Sequence, residues 1–294
     1  LVRLYVITAE ENHPGKSMTD VMEQTLIGGA GMLQLRNKTG SKAEVLEQAR
    51  ALRVLTRRYG VPFIVNDYPD IALQADADGV HLGQGDTSVQ EARALLGDDK
   101  IIGVSTHCIE HAMQAERDGA DYIGVGPVFP TATKPGKAAV TTAYVSEAAL
   151  RVNIPFVAIG GITPHNAQSV IAAGAKRLCA VSAIVGSQNP AEVCRELLRL
   201  LHEGERLLEG ADRDAAKKAQ RRLSADGASV TVMLNGNRYD TRAANLEALL
   251  TELGQLDKRL VAELGGEIVP RVRFHETALA EGQRIELIQF VGGG

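Results

Sequence analysis

The first two hundred residues switch repeatedly between two periods. Short apolar runs rich in β-branched residues predict strands at Leu4–Ile7, Met32–Arg36, Phe63–Asn66, Gly79–His81, Ile101–Ser105, Tyr122–Gly124, Phe156–Ile159 and Arg177–Val181. Between them, apolar residues recur three and four positions apart, as in Lys42–Arg58 and Val89–Leu96, which is the spacing of one buried helix face. Eight strand–helix units over this length point to an α/β fold, a small (β/α)8 TIM barrel. An open doubly wound sheet shares the alternation and differs only in the count of units.

Past about residue 203 the pattern changes. The stretch "HEGERLLEGADRDAAKKAQRRLSADGAS" (202–229) balances acidic against basic residues and has no aromatic. Leu207, Leu208, Ala211, Ala215 and Ala219 keep a helical spacing, so 204–229 reads as a charged helical linker, interrupted near Gly204 and Gly210 and stopping near Gly227. A second compact unit follows at 230–294. "VTVML" alternates like a strand, and Asn235-Gly236 is a hairpin signal because Asn-Gly takes positive φ readily. A short strand at Arg238–Thr241, a helix at Ala244–Leu253 and strands near Leu260–Glu263 and Ile285–Phe290 complete a ββαββ order, that of a small α+β β-grasp domain. The chain then reads "VGGG". Glycines cannot pack and lose the most backbone entropy when ordered, so this is either a frayed end or an arm whose terminal carboxylate enters another protein's active site.

Composition narrows the classes. With 45% hydrophobic and 23% charged residues the chain is an ordinary globular protein, and a net charge of -4 gives no reason to expect nucleic acid. No apolar run approaches the ~18 residues of a membrane span, and the N-terminus enters a strand pattern directly, without the apolar core of a signal peptide. Cys108, Cys179 and Cys194 are odd in number and widely spaced. They fit neither a disulfide framework nor a zinc site and point to a reducing, cytoplasmic compartment.

The chemistry of such a barrel lies at the carboxyl ends of its strands. There, alternation puts Gln34, Arg36 and Lys38 on one side of strand two, a pair of cations and an amide suited to an anionic substrate; a solvated basic turn would look the same. Strand three ends in Asn66-Asp67 and strand four runs through His81 to Asp86. Two carboxylates at adjacent strand ends can hold Mg2+, which takes one or two carboxylates plus phosphate oxygens, although either Asp could cap a helix and His81 could be a core residue. Ser105 ends strand five. The loop "GPVFPTATKPGK" (126–137), with Lys134 and Lys137, has the make-up of a lid over phosphates. Gly160-Gly161 after strand seven and Ser182 after strand eight occupy the places where barrels commonly cradle phosphate on backbone N–H groups.

In order along the chain, "QLRNK", "VNDYPDIALQADADGVHLGQGD", "GVSTH", "GPVFPTATKPG", "AIGGIT" and "VSAI" resemble thiamine phosphate synthase over residues 1 to about 203. The resemblance implies a Mg2+-dependent transferase that joins hydroxymethylpyrimidine diphosphate to thiazole phosphate with release of pyrophosphate. It implies Asp67 and Asp86 as metal ligands. It implies Arg36, Lys38, Asn66, Ser105 and Lys134 on the diphosphate, with Lys134, Arg36, Lys38 and Ser105 the catalytic set. Gln34, His81, Thr131 and Thr133 would line the pyrimidine and adjoining pocket; Gly161, Val181 and Ser182 would bind the thiazole phosphate. One departure from the family is Asn37, where many members carry an acidic residue; it faces away from the alternating set.

Residues 230–294 resemble the ubiquitin-like sulfur carrier of thiamine biosynthesis through "VMLNGN", "LEALLTEL", "ELGGEIVPR" and "LAEGQRIELIQFVGGG". That resemblance implies adenylation of the Gly294 carboxylate by an E1-like enzyme, conversion to a thiocarboxylate, and sulfur delivery to a thiazole synthase. The expected partners are therefore these two enzymes and the two small substrates, with no nucleic acid and no membrane; a homo-oligomer is compatible with the sequence. Two other readings differ in the barrel: a thiazole tautomerase-like activity, or a non-catalytic scaffold for the same carrier.

Overall fold

The structure is a computed structural model and describes residues 2–9, 15–131, 139–207, 229–256, 260–265 and 267–289. The chain divides between Glu205 and Arg206 into two compact units.

In the first unit, β1 (Leu4–Ile7), β2 (Met32–Leu35), β3 (Phe63–Asn66), β4 (Gly79–Leu82), β5 (Ile101–Thr106), β6 (Tyr122–Val125), β7 (Phe156–Ile159) and β8 (Leu178–Ala180) close in sequence order into a parallel barrel. The alternating helices are α1 (Met18–Ile27), α2 (Lys42–Tyr59), α3 (Pro69–Gln74), α4 (Val89–Leu96), α5 (Ile109–Arg117), α6 (Thr141–Arg151), α7 (Ala167–Ala172) and α8 (Ser182–Val185), followed by α9 over 190–207. Local sequence starts the long helices cleanly. Ser41 and Ser88 each accept from the N–H three residues on, and Glu44 and Glu91 reach back to them, so α2 and α4 open with full capping boxes.

Because the strands are covered on both faces, one parity packs against the helices and the other fills the barrel. Leu4, Val6, Leu33, Phe63 and Val65 belong to the outer core. Tyr5, Ile7, Met32, Ile64, Tyr122, Val157 and Cys179 form the inner one. Register aligns the inner set across strands: Tyr5 with Met32, Ile7 with Gln34, Asn66 with His81, His81 with Gly103, Gly103 with Tyr122, and Ser105 with Gly124. Gly103 is needed here, since a Cβ on it would lie 2.1 Å from the Tyr122 ring.

The foot of the barrel uses one device twice. Asp78, just before β4, accepts the Phe63 N–H that opens β3 (2.7 Å) and both arms of Arg53 from α2 (2.7 and 3.1 Å). Asp121, just before β6, accepts the Ile102 N–H of β5 and one arm of Arg93 from α4, each at 2.7 Å.

The expected break near Gly204 does not occur. α9 passes through it, and a Cβ there would come within 2.3 Å of Ile171 Cγ2, so the glycine lets the helix press onto α7. Arg3 holds the next residue, Glu205, at 2.6 Å. The remaining linker positions, 208–228, lie outside the described residues.

The second unit has β9 (Val230–Leu234), β10 (Asn237–Thr241), α10 (Leu246–Glu252), β11 (Leu260–Leu264), β12 (Glu267–Val269), a 3-10 turn at Arg271–Arg273, and β13 (Arg284–Gln289). They form a mixed sheet in the order β10-β9-β13-β11-β12, with α10 packed through Leu246, Leu249 and Leu250 against Val232, Ala262 and Ile285. This is the β-grasp arrangement with one strand more than the ββαββ reading. β12 pairs antiparallel with β11 across Gly265, and its three residues are too few to show a period in sequence. The helix opens at Leu246 because Asn245 caps it, accepting from the Ala248 N–H at 2.8 Å. The terminal glycines, Gly292 to Gly294, lie outside the described residues.

Candidate active site

The inward parity of the strands opens at the barrel mouth into two connected spaces. The larger, about 740 Å³, is lined by Tyr5, Ile7, Gln34, His81, Ser105, His107, Tyr122, Thr131, Ile159, Gly160, Gly161, Cys179, Val181 and Ser182. The smaller, about 530 Å³, adds Arg36, Lys38, Asn66, Asp67, Gly83 and Asp86. Gln34, His81, Ser105 and Val181 border both. One half is thus mainly apolar with a few polar groups, and the other is charged. Of the sequence-derived candidates, all but four meet at this mouth. Thr133, Lys134, Lys137 and Gly294 lie outside the described residues.

Backbone geometry aims the charged half. Thr8 accepts from the Arg36 N–H (2.8 Å) and donates to the Arg36 carbonyl (3.1 Å), so the turn after β2 is pinned where Arg36 and Lys38 leave it. Asp67 sits in the left-handed region at φ 66, a conformation Asp tolerates better than most residues, and its N–H is held by the His81 carbonyl at 2.9 Å. The helix that follows is capped at Tyr68 with no side-chain bond, so Asp67 is not a cap. It pairs instead with Lys38. Asp86 is not a cap either, since Ser88 opens α4. Its carboxylate closes its own turn by accepting from the Gly83 N–H at 2.6 Å.

Asp67 and Asp86 touch, and their environments pull them apart. Burial raises the Asp67 carboxyl above the usual range, the neighbouring Asp86 adds to the rise, and Lys38 opposes it. Burial also works against the Asp86 charge, but hydrogen bonds from Asp67 and the Gly83 N–H, with the Lys38 charge, hold that carboxyl below the usual range. Two carboxylates in contact need either a shared proton or a cation between them. This is a donor set for a hard divalent ion that draws its other ligands from phosphate oxygens and water. Among the described residues no group of three or more His, Cys, Asp or Glu gathers into a protein-only metal cage.

The larger space is shaped by its loops. Gly160 and Gly161 have φ of 103 and 63, and a Cβ on either would meet Pro127 or the Phe129–Pro130 segment within 2.8 Å. The loop after β6 therefore lies directly on the end of β7, with Val128 N–H bonded to Ile159 O (2.9 Å) and Phe129 N–H to Gly160 O (3.1 Å). Asn166 donates to Gly161 O and accepts from the Thr163 N–H, which holds the turn open toward the cavity.

Sequence reading missed Tyr5, Tyr122, Ile7, His107 and Cys179 as lining residues. The period-two parity that selects Gln34 and His81 also selects Tyr5 and Tyr122, but their polar partners lie on strands far away in the chain.

Comparison with known proteins follows the two units. Residues 4–184 match the family model described as thiamine monophosphate synthase, and residues 201–294 match the ThiS family. The chain is 54% identical over 202 residues to thiamine-phosphate synthase of Shouchella clausii, covering 68% of this chain and 97% of that protein. It is 51% identical to the protein of the same name from Halalkalibacterium halodurans, covering 68% and 96%. Among solved structures, thiamine phosphate pyrophosphorylase from Pyrococcus furiosus superimposes with a TM-score of 0.63 at 36% identity, covering 69% of this chain and 96% of that one.

Proposed function

We propose, from the premise that this chain belongs to the thiamine monophosphate synthase family, that its barrel mouth joins hydroxymethylpyrimidine diphosphate to thiazole phosphate and releases pyrophosphate. The barrel is a thiamine-phosphate synthase, a transferase, and it is fused to a ThiS-type unit with a ubiquitin-like fold. The observation that carries the substrate reading is the joining of a charged space to a mainly apolar one, with Gln34, His81 and Ser105 on the seam.

In this reading the diphosphate lies in the charged half on Arg36, Lys38 and Asn66, with Ser105 beside it; the sequence resemblance assigns Lys134 to the same diphosphate. The pyrimidine lies inward against Gln34 and His81, beside Thr131; the sequence resemblance assigns Thr133 to the same pocket. The thiazole phosphate takes the Gly161, Val181 and Ser182 end. Asp67 and Asp86 would hold Mg2+, which when bound supplies positive charge to the leaving diphosphate. The bond from the pyrimidine CH2 carbon to the diphosphate oxygen breaks, and the electron-rich ring stabilises the cation left behind. The thiazole nitrogen then forms the new bond to that carbon. No protein nucleophile is needed, so the side chains work by placement and by charge at the departing oxygens.

For the C-terminal unit we propose that the Gly294 carboxylate is adenylated by an E1-like enzyme and becomes a thiocarboxylate that feeds a thiazole synthase. Support is the family match through residue 294 and a side-chain-free tail able to thread a narrow site. No described helix is long and apolar enough to cross a membrane. The proposed compartment is the cytoplasm, in keeping with three cysteines that form no disulfide.

The test is thiamine phosphate formation by the purified chain given both substrates and Mg2+, with EDTA as control. Metal-dependent product is expected. Metal-independent turnover of the thiazole substrate alone would replace this reading with a tautomerase, and a folded chain without product would leave the barrel a scaffold.

A further inference from the structure

A single file of hydrogen bonds crosses the barrel interior beneath the mouth. It starts on β2, where Gln34 Nε2 donates to Tyr5 Oη of β1 at 2.7 Å. Tyr5 Oη meets Tyr122 Oη of β6 at 2.9 Å. Tyr122 Oη meets His81 Nδ1 of β4 at 2.9 Å, and His81 Nε2 meets Ser105 Oγ of β5 at 2.9 Å. Both phenols are buried, and burial raises each of them well above the ordinary phenol range, so each stays neutral with one proton to give.

That inventory sets a direction. An amide N–H can only donate, so Tyr5 accepts from Gln34. The buried Tyr5 proton then goes to Tyr122; turned away, it would be left without an oxygen acceptor, at a cost typical of a buried unmade hydrogen bond. The Tyr122 proton goes to His81 Nδ1, which makes His81 the Nε2–H tautomer. His81 donates to Ser105, and the Ser105 proton is left for the cavity. Gln34 at the other end turns its carboxamide oxygen to the same cavity. In the opposite polarity every bond reverses: Gln34 presents N–H, His81 is the Nδ1–H tautomer, and Ser105 presents a lone pair. No proton changes owner along the chain except at the histidine, whose proton moves from one ring nitrogen to the other.

We propose that Tyr5 and Tyr122 are positioning residues that lock these two ends together, so that a ligand donating a hydrogen bond to Gln34 fixes Ser105 as a donor. The proposal rests on the site reading above, in which the aminopyrimidine meets Gln34 and the diphosphate meets Ser105. A ring with an amino donor facing Gln34 turns the Ser105 hydroxyl toward the anionic leaving group. A ring presenting an acceptor there favours the opposite polarity and sets a lone pair against the phosphate. Specificity for the pyrimidine is then expressed at the leaving group, through two buried tyrosines that join the residues at either end. The packing agrees with a built feature: Gly103 leaves the space that the Tyr122 ring fills, and the Tyr5 and Tyr122 rings meet edge to face at 6.0 Å.

The test reads the His81 tautomer by 15N NMR on the full chain without substrates, so that failure of the coupling assay would leave it standing. The wild-type protein is expected to show His81 as Nε2–H. Gln34→Glu puts an acceptor-only group at the far end and is expected to turn His81 to Nδ1–H through the two phenols that lie between them. The Tyr122→Phe variant should cut that link, so that adding Gln34→Glu to it no longer moves the tautomer. A wild-type Nδ1–H tautomer, or one that ignores Gln34→Glu, would overturn the proposal. In the coupling assay Tyr122→Phe is expected to lower kcat about tenfold, the scale of one hydrogen bond, with KM for thiazole phosphate unchanged. An unchanged kcat would refute the link from polarity to turnover.

Discussion

Replacing Asp78 by alanine is expected to destabilise the barrel by about 2–4 kcal/mol, although the residue lies at the foot, far along its strand from the mouth. The carboxylate serves three donors at once: the Phe63 N–H and both guanidinium arms of Arg53. Losing it strands the N–H that opens β3, worth about 1–3 kcal/mol for a buried donor. It also strands the mostly buried Arg53 charge. Asp78 is itself 33% exposed, so that part is discounted to about 1–2 kcal/mol. Asp121 is an internal control. It holds an equivalent N–H, of Ile102, but grips Arg93 by one arm and is 46% exposed, so Asp121→Ala should cost less, about 1–2 kcal/mol. Urea unfolding of the full chain by far-UV circular dichroism, with separate transitions fitted for the two units, measures both. An Asp78→Ala loss within about 0.5 kcal/mol of wild type, the range of an ordinary surface change, would refute the reasoning. So would a larger loss at Asp121.

Other outcomes follow from the mouth and the core. Asp67→Ala is expected to abolish Mg2+-dependent coupling while leaving the barrel folded, at a cost of about 1 kcal/mol for alanine at positive φ; near-normal turnover would sink the metal assignment. Because burial and Asp86 raise the Asp67 carboxyl, a proton competes with the cation to higher pH than at an ordinary carboxylate. Mg2+ affinity, measured by calorimetry, should therefore fall as pH is lowered through the range just above that of free Asp, and a flat profile there would contradict the shared-proton picture. Burial pushes the Cys194 thiol up to about 12, so Cys194 should resist alkylation in the native chain at pH 8 while the partly exposed Cys108 reacts. Mass spectrometry after a timed pulse of iodoacetamide would show which sulfur is labelled. Removing Gly293-Gly294 is expected to stop adenylation and leave thiamine phosphate synthesis unchanged, and adenylation that survives would end the carrier reading.

The parts of this molecule that repeat were the most legible. Each barrel strand is a brief apolar run bounded by turn residues, and the same parity that buries Ile7 brings Gln34 and His81 to the mouth. The charged residues at strand ends could be picked out because a barrel has one functional end. What escaped depended on contacts distant in sequence or on elements too short to have a period. Tyr5 and Tyr122 drew no notice as a pair, since their bond spans 117 positions. Gly204 looked like a break because a glycine weakens a helix, but tertiary packing on Ile171 reverses that local preference. β12 was invisible because three residues take their shape from β11 rather than from their own pattern.

The place of β13 bears on when the second unit can work at all. It lies in the middle of its sheet, parallel to β9 on one side and antiparallel to β11 on the other, yet it leaves the ribosome after both. Until it arrives, β9 and β11 have no common neighbour and α10 has no closed surface to cover. A chain cut short anywhere before Arg284 therefore lacks the keystone of that sheet, whereas the barrel, complete two hundred residues in, can already have folded. Translation itself thus orders the two activities, and a prematurely ended chain forfeits the carrier before it forfeits the synthase.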